Sequence, residues 1–133
     1  MANGIYSKKV IEHFQNPHNY GRIKDADGIG KAGNPICGDV LYLYIKVGEN
    51  EVIKDIKFET FGCAAAISTS SVVTDLAKGK TIKEALKIDS ARIVKSLGGL
   101  PSIKHHCSLL AIDALRSAIR DYLQKTKKIL KKP

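Results

Sequence analysis

The chain is predicted to adopt an α+β fold: a small antiparallel sheet of about three strands with helices packed on one face, ending in a long C-terminal helix. Three observations predict it. Runs of β-branched and aromatic residues are grouped in the first half, whereas apolar residues in the second half recur at helical spacing, so strands and helices do not alternate. The 133 residues, 44% hydrophobic and 26% charged, have the size and composition of one compact domain over 1–133 that buries its own core. No internal repeat or low-complexity linker divides the chain.

Tyr6, Val10 and Phe14 recur at steps of four with Ile11 beside them, so residues 4–15 read as an amphipathic helix ended by Asn16-Pro17. Residues 18–36 are glycine-rich with little periodicity and read as a loop with room for one short strand and no helix. Val40 to Val47 is a β-branched and aromatic run, followed by a turn at Gly48-Glu49-Asn50-Glu51. Ile56, Phe58 and Thr60 then alternate with Asp55, Lys57 and Glu59, which predicts a hairpin with one wet face. After Phe61-Gly62-Cys63 the pattern changes to alanine, serine and apolar residues through Ala77, with Gly79 placed to cap a helix. Cys63 is therefore expected at a strand-to-helix junction.

Thr81 and Glu84 have capping-box spacing, and Asp89 is placed to cap a second short helix ended by Gly98-Gly99. Pro101 suits a new helix start. From there to about Gln124, Leu110, Leu115, Ile119 and Leu123 oppose Asp113, Arg116, Arg120 and Asp121, which predicts the long C-terminal helix with His106 and Cys107 in its first turns.

The formal net charge of +9 owes more than half of its excess to Lys125, Lys127, Lys128, Lys131 and Lys132, in a basic tail over about 125–133. A terminal charge run is usually a solvated end, and no aromatic stacking surface or nucleic-acid motif accompanies it, so the expected partners are acidic proteins and not nucleic acid. No apolar run approaches the roughly 18 residues of a membrane span, and the opening Met-Ala-Asn-Gly-Ile-Tyr lacks a signal-peptide pattern. The expectation is a cytoplasmic protein with no membrane association.

Cys37, Cys63 and Cys107 are odd in number and match no small secreted disulfide framework, so they read as thiols. Taken singly, each would be a small buried hydrophobe. Their neighbours and positions point to metal: Cys37-Gly38-Asp39 precedes a strand, Cys63 precedes a helix, and His106-Cys107 opens another. Helix N-termini favour thiolate over thiol, and thiolates bind metal. Cys37 and Asp39, two apart, leave one face of an extended segment. His106 and Cys107 diverge by about 100° on a regular helix, so equal access to one metal needs a frayed turn, and the two read as alternating ligands. Three thiolates with Asp39 or His106 as the fourth donor would hold an iron-sulfur cluster less permanently than four thiolates. The same donors also make a tetrahedral zinc site, although close ligand pairs such as Cys-x-x-Cys are absent. A Cys-His enzyme fares worse, because no orienting third residue accompanies the diverging pair.

The residues match a known family. Tyr-Ser-Lys-Lys-Val-Ile-Glu-His-Phe-Gln-Asn-Pro at 6–17, Gly-Asn-Pro-Ile-Cys-Gly-Asp at 33–39, Phe-Glu-Thr-Phe-Gly-Cys-Ala at 58–64 and His-Cys-Ser-Leu-Leu-Ala at 106–111 give nearly the whole chain a resemblance to the IscU/NifU-type iron-sulfur cluster scaffolds, close to the IscU branch. The resemblance implies a scaffold and not an enzyme. It implies Cys37, Asp39, Cys63, His106 and Cys107 as iron and cluster ligands, with zinc as an alternative occupant. It further implies a cysteine desulfurase that donates persulfide sulfur, with Cys107 the first acceptor, a ferredoxin-type electron donor that completes a [2Fe-2S] cluster, and recipient apo-proteins. A homodimer would let two such clusters join. Leu100-Pro101-Ser102-Ile103-Lys104 departs at two positions from the family's chaperone-recognition segment, Leu-Pro-Pro-Val-Lys. The lost proline leaves the backbone less fixed in an extended shape, which argues against a dedicated chaperone. His105 also departs from the family and reads as a surface residue.

Overall fold

The computed structural model describes residues 7–34, 39–100 and 105–131. Its elements run α1 (Lys8–Gln15), β1 (Gly28–Asn34), β2 (Asp39–Val47), β3 (Ile53–Phe61), α2 (Ala64–Ala77), α3 (Ile82–Ala85), α4 (Ser90–Ser96) and α5 (His105–Lys131). This is the α+β architecture that the sequence predicts. The sheet is three-stranded and antiparallel in the order β1-β2-β3, and the glycine-rich stretch supplies its β1 edge.

Period-two alternation decides which face of the hairpin is covered. Leu41, Leu43 and Ile45 of β2 and Ile56, Phe58 and Thr60 of β3 are buried, while Tyr42, Tyr44, Lys57 and Glu59 lie on the other face. A register shift at Lys46/Val47 brings Ile53 into the core as well. The buried face is closed by Val73 of α2, Ile93 of α4 and Leu115 and Ile119 of α5. Each such side chain contributes about 1.5–3 kcal/mol through burial. At the β3 edge, Gly21 N–H donates to the Phe58 carbonyl (2.8 Å) and Phe58 N–H to that of Asn19 (3.0 Å), so the chain after α1 is stitched to the sheet.

α2 is the central helix, and its side chains are small because neighbours approach it on several sides. Ser68, Thr69, Ser70, Ser71 and Thr74 are all buried. Their hydroxyls are satisfied locally or by α1: Ser70 Oγ donates to the Ala66 carbonyl (2.7 Å), and Ser68 Oγ donates to that of Val10 (2.6 Å). On the same seam His13 Nδ1 lies 2.7 Å from Ser71 Oγ. Burial, and after it the neighbouring His18, pushes the His13 imidazole below the ordinary histidine value.

The caps of α3 and α4 match their sequence signals, whereas α1 starts at Lys8, later than the predicted residue 4, because Ser7 takes its N-cap. Ser7 caps α1, accepting from Val10 N–H (3.2 Å) and donating to the Leu97 carbonyl at the end of α4. Thr81 and Glu84 form the reciprocal capping box, Asp89 caps α4, and Gly79, Gly98 and Gly99 take positive φ just after helix ends. α5 runs on to Lys131, past the Gln124 boundary that apolar periodicity predicts. Contacts within the helix carry it further: Lys125 Nζ meets Asp121 Oδ2 at 3.0 Å, and Thr126 Oγ1 donates to the Tyr122 carbonyl at 2.9 Å. The described part of α5 begins at His105; Pro101, the predicted start, lies outside the described residues, as do residues 4–6 of the first predicted helix. Among the described residues no helix is long and apolar enough to cross a membrane.

Candidate metal centre

One end of the sheet brings Cys63 and the start of α5 together. β3 ends at Phe61, and after Gly62 the chain turns into α2 with Cys63 at its N-cap position. β2 starts beside that point, because Val40 pairs with Phe61 and Asp39 is the residue before it. Asp39 and His106 are positioned by their backbone alone, one opening β2 and the other the second residue of α5. Cys37 lies outside the described residues.

Cys63 and Cys107 meet. The Cys63 backbone is extended (φ −76°, ψ 176°), and its side chain makes no cap hydrogen bond to α2. Cys107, in the first turn of α5, is 1% exposed and packs with Ala65 and Ala66, with Cys63 and Leu100 against them. Thr69 Oγ1 of α2 lies 3.3 Å from the Cys107 carbonyl, a contact that joins α2 to the start of α5. The two Sγ atoms are 3.9 Å apart and both are thiols. A disulfide would need about 2.05 Å. Two thiolates on one tetrahedral ion with metal–sulfur bonds of about 2.3 Å stand about 3.8 Å from each other. The observed separation therefore suits a shared metal.

Cys63 also stands at the N-cap position of a 14-residue helix. Phe61, at the end of β3, is 77% exposed on the open face of the sheet, beside Tyr42 and Glu59. His106 and Cys107 both lie on helical backbone from His105 onward, with no frayed turn between them.

The structure also assembles a group that the sequence reading passed over: His13, His18 and Asp75, whose ligand atoms lie within 4.8 Å of one another. His18 and Asp75 are 57 residues apart, so no local spacing announces them. The only available signal was the density of histidine and asparagine around the end of α1.

Residues 5–129 match the family described as the NifU-like N terminal domain. The chain is 62% identical over 125 residues to the iron-sulfur cluster assembly scaffold protein IscU 1 of Archaeoglobus fulgidus, covering 94% of this chain and 81% of that protein. It is 52% identical to the IscU scaffold protein of Rickettsia prowazekii, covering 90% and 93%. Among solved structures it resembles a putative iron-sulfur cluster assembly scaffold protein for the SUF system from Fervidobacterium islandicum (TM-score 0.71, 25% identity, 90% and 99% covered). The N-terminal part of a NifU-like protein from Brucella abortus shares the fold (TM-score 0.72, 24% identity, 93% and 98% covered). The chain belongs to the NifU-like N-terminal domain family, the IscU/NifU-type iron-sulfur cluster assembly scaffolds.

Proposed function

We propose that the protein receives sulfur from a cysteine desulfurase, binds iron, builds a transient [2Fe-2S] cluster on Cys37, Cys63 and Cys107 with Asp39 or His106, and passes it to apo-proteins. One observation carries this reading: two thiols 44 residues apart in the chain stand 3.9 Å apart at adjoining helix starts. Iron and cluster are cargo here, not resident groups.

Cys107 is the proposed first acceptor. Its thiolate attacks the outer sulfur of the desulfurase persulfide, the sulfur–sulfur bond breaks, and the desulfurase cysteine leaves as thiolate while Cys107 becomes the persulfide. Each sulfur so delivered needs two electrons to become sulfide, which a ferredoxin-type donor supplies. Cys107 is 1% exposed, so the attack requires the first turn of α5 to give way. Zinc takes the same donors when iron is absent. Two chains brought face to face would allow two clusters to join. The proposed setting is the cytoplasm, and the basic C-terminal end suits acidic protein partners. Leu100 packs near Cys107, while Pro101–Lys104 lie outside the described residues; no dedicated chaperone is included.

Anaerobic incubation with iron, cysteine and a desulfurase should give stoichiometric iron and sulfide, a visible cluster spectrum and transfer to an apo-ferredoxin. Failure to take up iron and sulfide would overturn the scaffold reading, and turnover of a substrate without cluster would favour an enzyme. Asp39→Ala should slow transfer severalfold, because a carboxylate is the hardest of the proposed donors and the easiest for an acceptor thiol to replace. A transfer rate equal to that of the unaltered protein would remove Asp39 from the mechanism.

A further inference from the structure

Away from the cysteines, toward the other end of α2, three nitrogen and oxygen donors converge from three segments. His13 comes from the last turns of α1, His18 from the chain that follows, and Asp75 from the last turns of α2. The His13 and His18 ring centroids are 4.6 Å apart, and His18 Nδ1 is 2.5 Å from Asp75 Oδ2. We propose that His13, His18 and Asp75 bind a borderline divalent cation of the zinc class at a second site, independent of the cluster ligands.

The surroundings hold each donor in place. His13 Nδ1 lies 2.7 Å from Ser71 Oγ, so Nε2 is the ring nitrogen left to serve as a ligand. The same hydroxyl accepts from the His18 backbone N–H at 2.8 Å, so one serine positions both histidines. Asn19 Nδ2 donates to Asp75 Oδ1 at 3.2 Å and to Thr74 Oγ1 at 3.0 Å, which orients the carboxylate. Ligands on a tetrahedral ion with bonds of about 2.1 Å stand roughly 3.4 Å apart. The present spread, up to 4.8 Å, closes by rotation of side chains. The His18 and Asp75 side chains, 53% and 42% exposed, are free to make that rotation.

The donor set selects the ion. Two imidazoles and one carboxylate suit zinc, cobalt, nickel or ferrous iron, whereas calcium and magnesium prefer oxygen throughout. Three protein ligands leave at least one coordination position to water. Binding would tie α1 and the chain after it to α2, far along the helix from Cys63.

Zinc titration of the full-length, untagged protein tests this. Zinc should shift the imidazole nitrogen resonances of both His13 and His18. Equilibrium dialysis on a Cys63→Ala/Cys107→Ala chain should retain one zinc, and adding His18→Ala or Asp75→Asn should lower that affinity at least tenfold. Unmoved imidazole resonances in the unaltered protein, or an affinity indifferent to both substitutions, would overturn the site. His18→Ala should leave iron and sulfide uptake unchanged, so failure of this site and failure of the scaffold reading are separate results.

Discussion

Cys63→Ala is expected to abolish cluster formation and to weaken zinc binding at the cysteine site by about a hundredfold. Structural zinc sites bind with about 10–16 kcal/mol shared among four ligands, so one ligand carries on the order of 3 kcal/mol, or roughly a hundredfold in affinity. Alanine isolates this effect, because Cys63 lends no cap hydrogen bond to α2 and the fold loses little when its sulfur goes. Cys107→Ala should cost a similar factor, with alanine preferred to serine because the site is 1% exposed and an unpartnered buried hydroxyl costs about 1–3 kcal/mol. With Sγ atoms 3.9 Å apart, the two substitutions act on one ion, so their effects on zinc affinity should be non-additive. Zinc titration and anaerobic reconstitution of both single variants and the double variant measure this. A Cys63→Ala protein that reconstitutes at full yield, or strictly additive zinc losses, would separate the two thiols into different sites.

Cys63 and Cys107 could be marked as candidate ligands from sequence because ligand chemistry belongs to residue types, and the structure brings these two thiols to 3.9 Å; Cys37 lies outside the described residues. The caps at Thr81 and Asp89 were legible because each acts on backbone three residues away, whereas Ser7, the cap of α1, was read as lying inside its helix. Local pattern does not carry which faces meet. Nothing in the spacing of His13, His18 and Asp75 says that α1 lies along α2, and the buried serines and threonines of α2 read only as a small, mildly polar helix until neighbouring backbone supplies their partners. β1 was the hardest strand to read. Its glycines weaken strand propensity, and the reason they are there is tertiary: both Gly28 and Gly30 lie where the backbone of α5 crosses the sheet.

That crossing predicts the largest effect on stability. A Cβ at Gly30 would fall 2.1 Å from the Ala114 carbonyl oxygen, 2.5 Å from the Ala118 nitrogen and 3.0 Å from the Ala118 Cα. All three are backbone atoms of α5, so no rotamer change makes room and the helix itself must move away from β1. Overpacking of this kind costs about 1–3 kcal/mol and occasionally more, and Gly30→Ala should lie at or above the upper figure, since Leu115 and Ile119 ride on the same helix into the core. At about 4 °C per kcal/mol for a chain of this size, Tm should fall by roughly 10 °C or more. Gly48→Ala is the control: its nearest contact is the flexible Lys54 side chain at 3.3 Å, and its effect should stay within about 0.5 kcal/mol. Because α5 also carries Cys107, Gly30→Ala protein that remains folded should bind zinc more weakly at the cysteine site, linking a sheet glycine to the metal centre through one rigid helix. Adding Ala118→Gly should restore neither property, because the obstructing atoms belong to the backbone that glycine retains; recovery of stability in that double variant would show that side-chain crowding, and not the approach of the helix backbone, requires glycine at position 30.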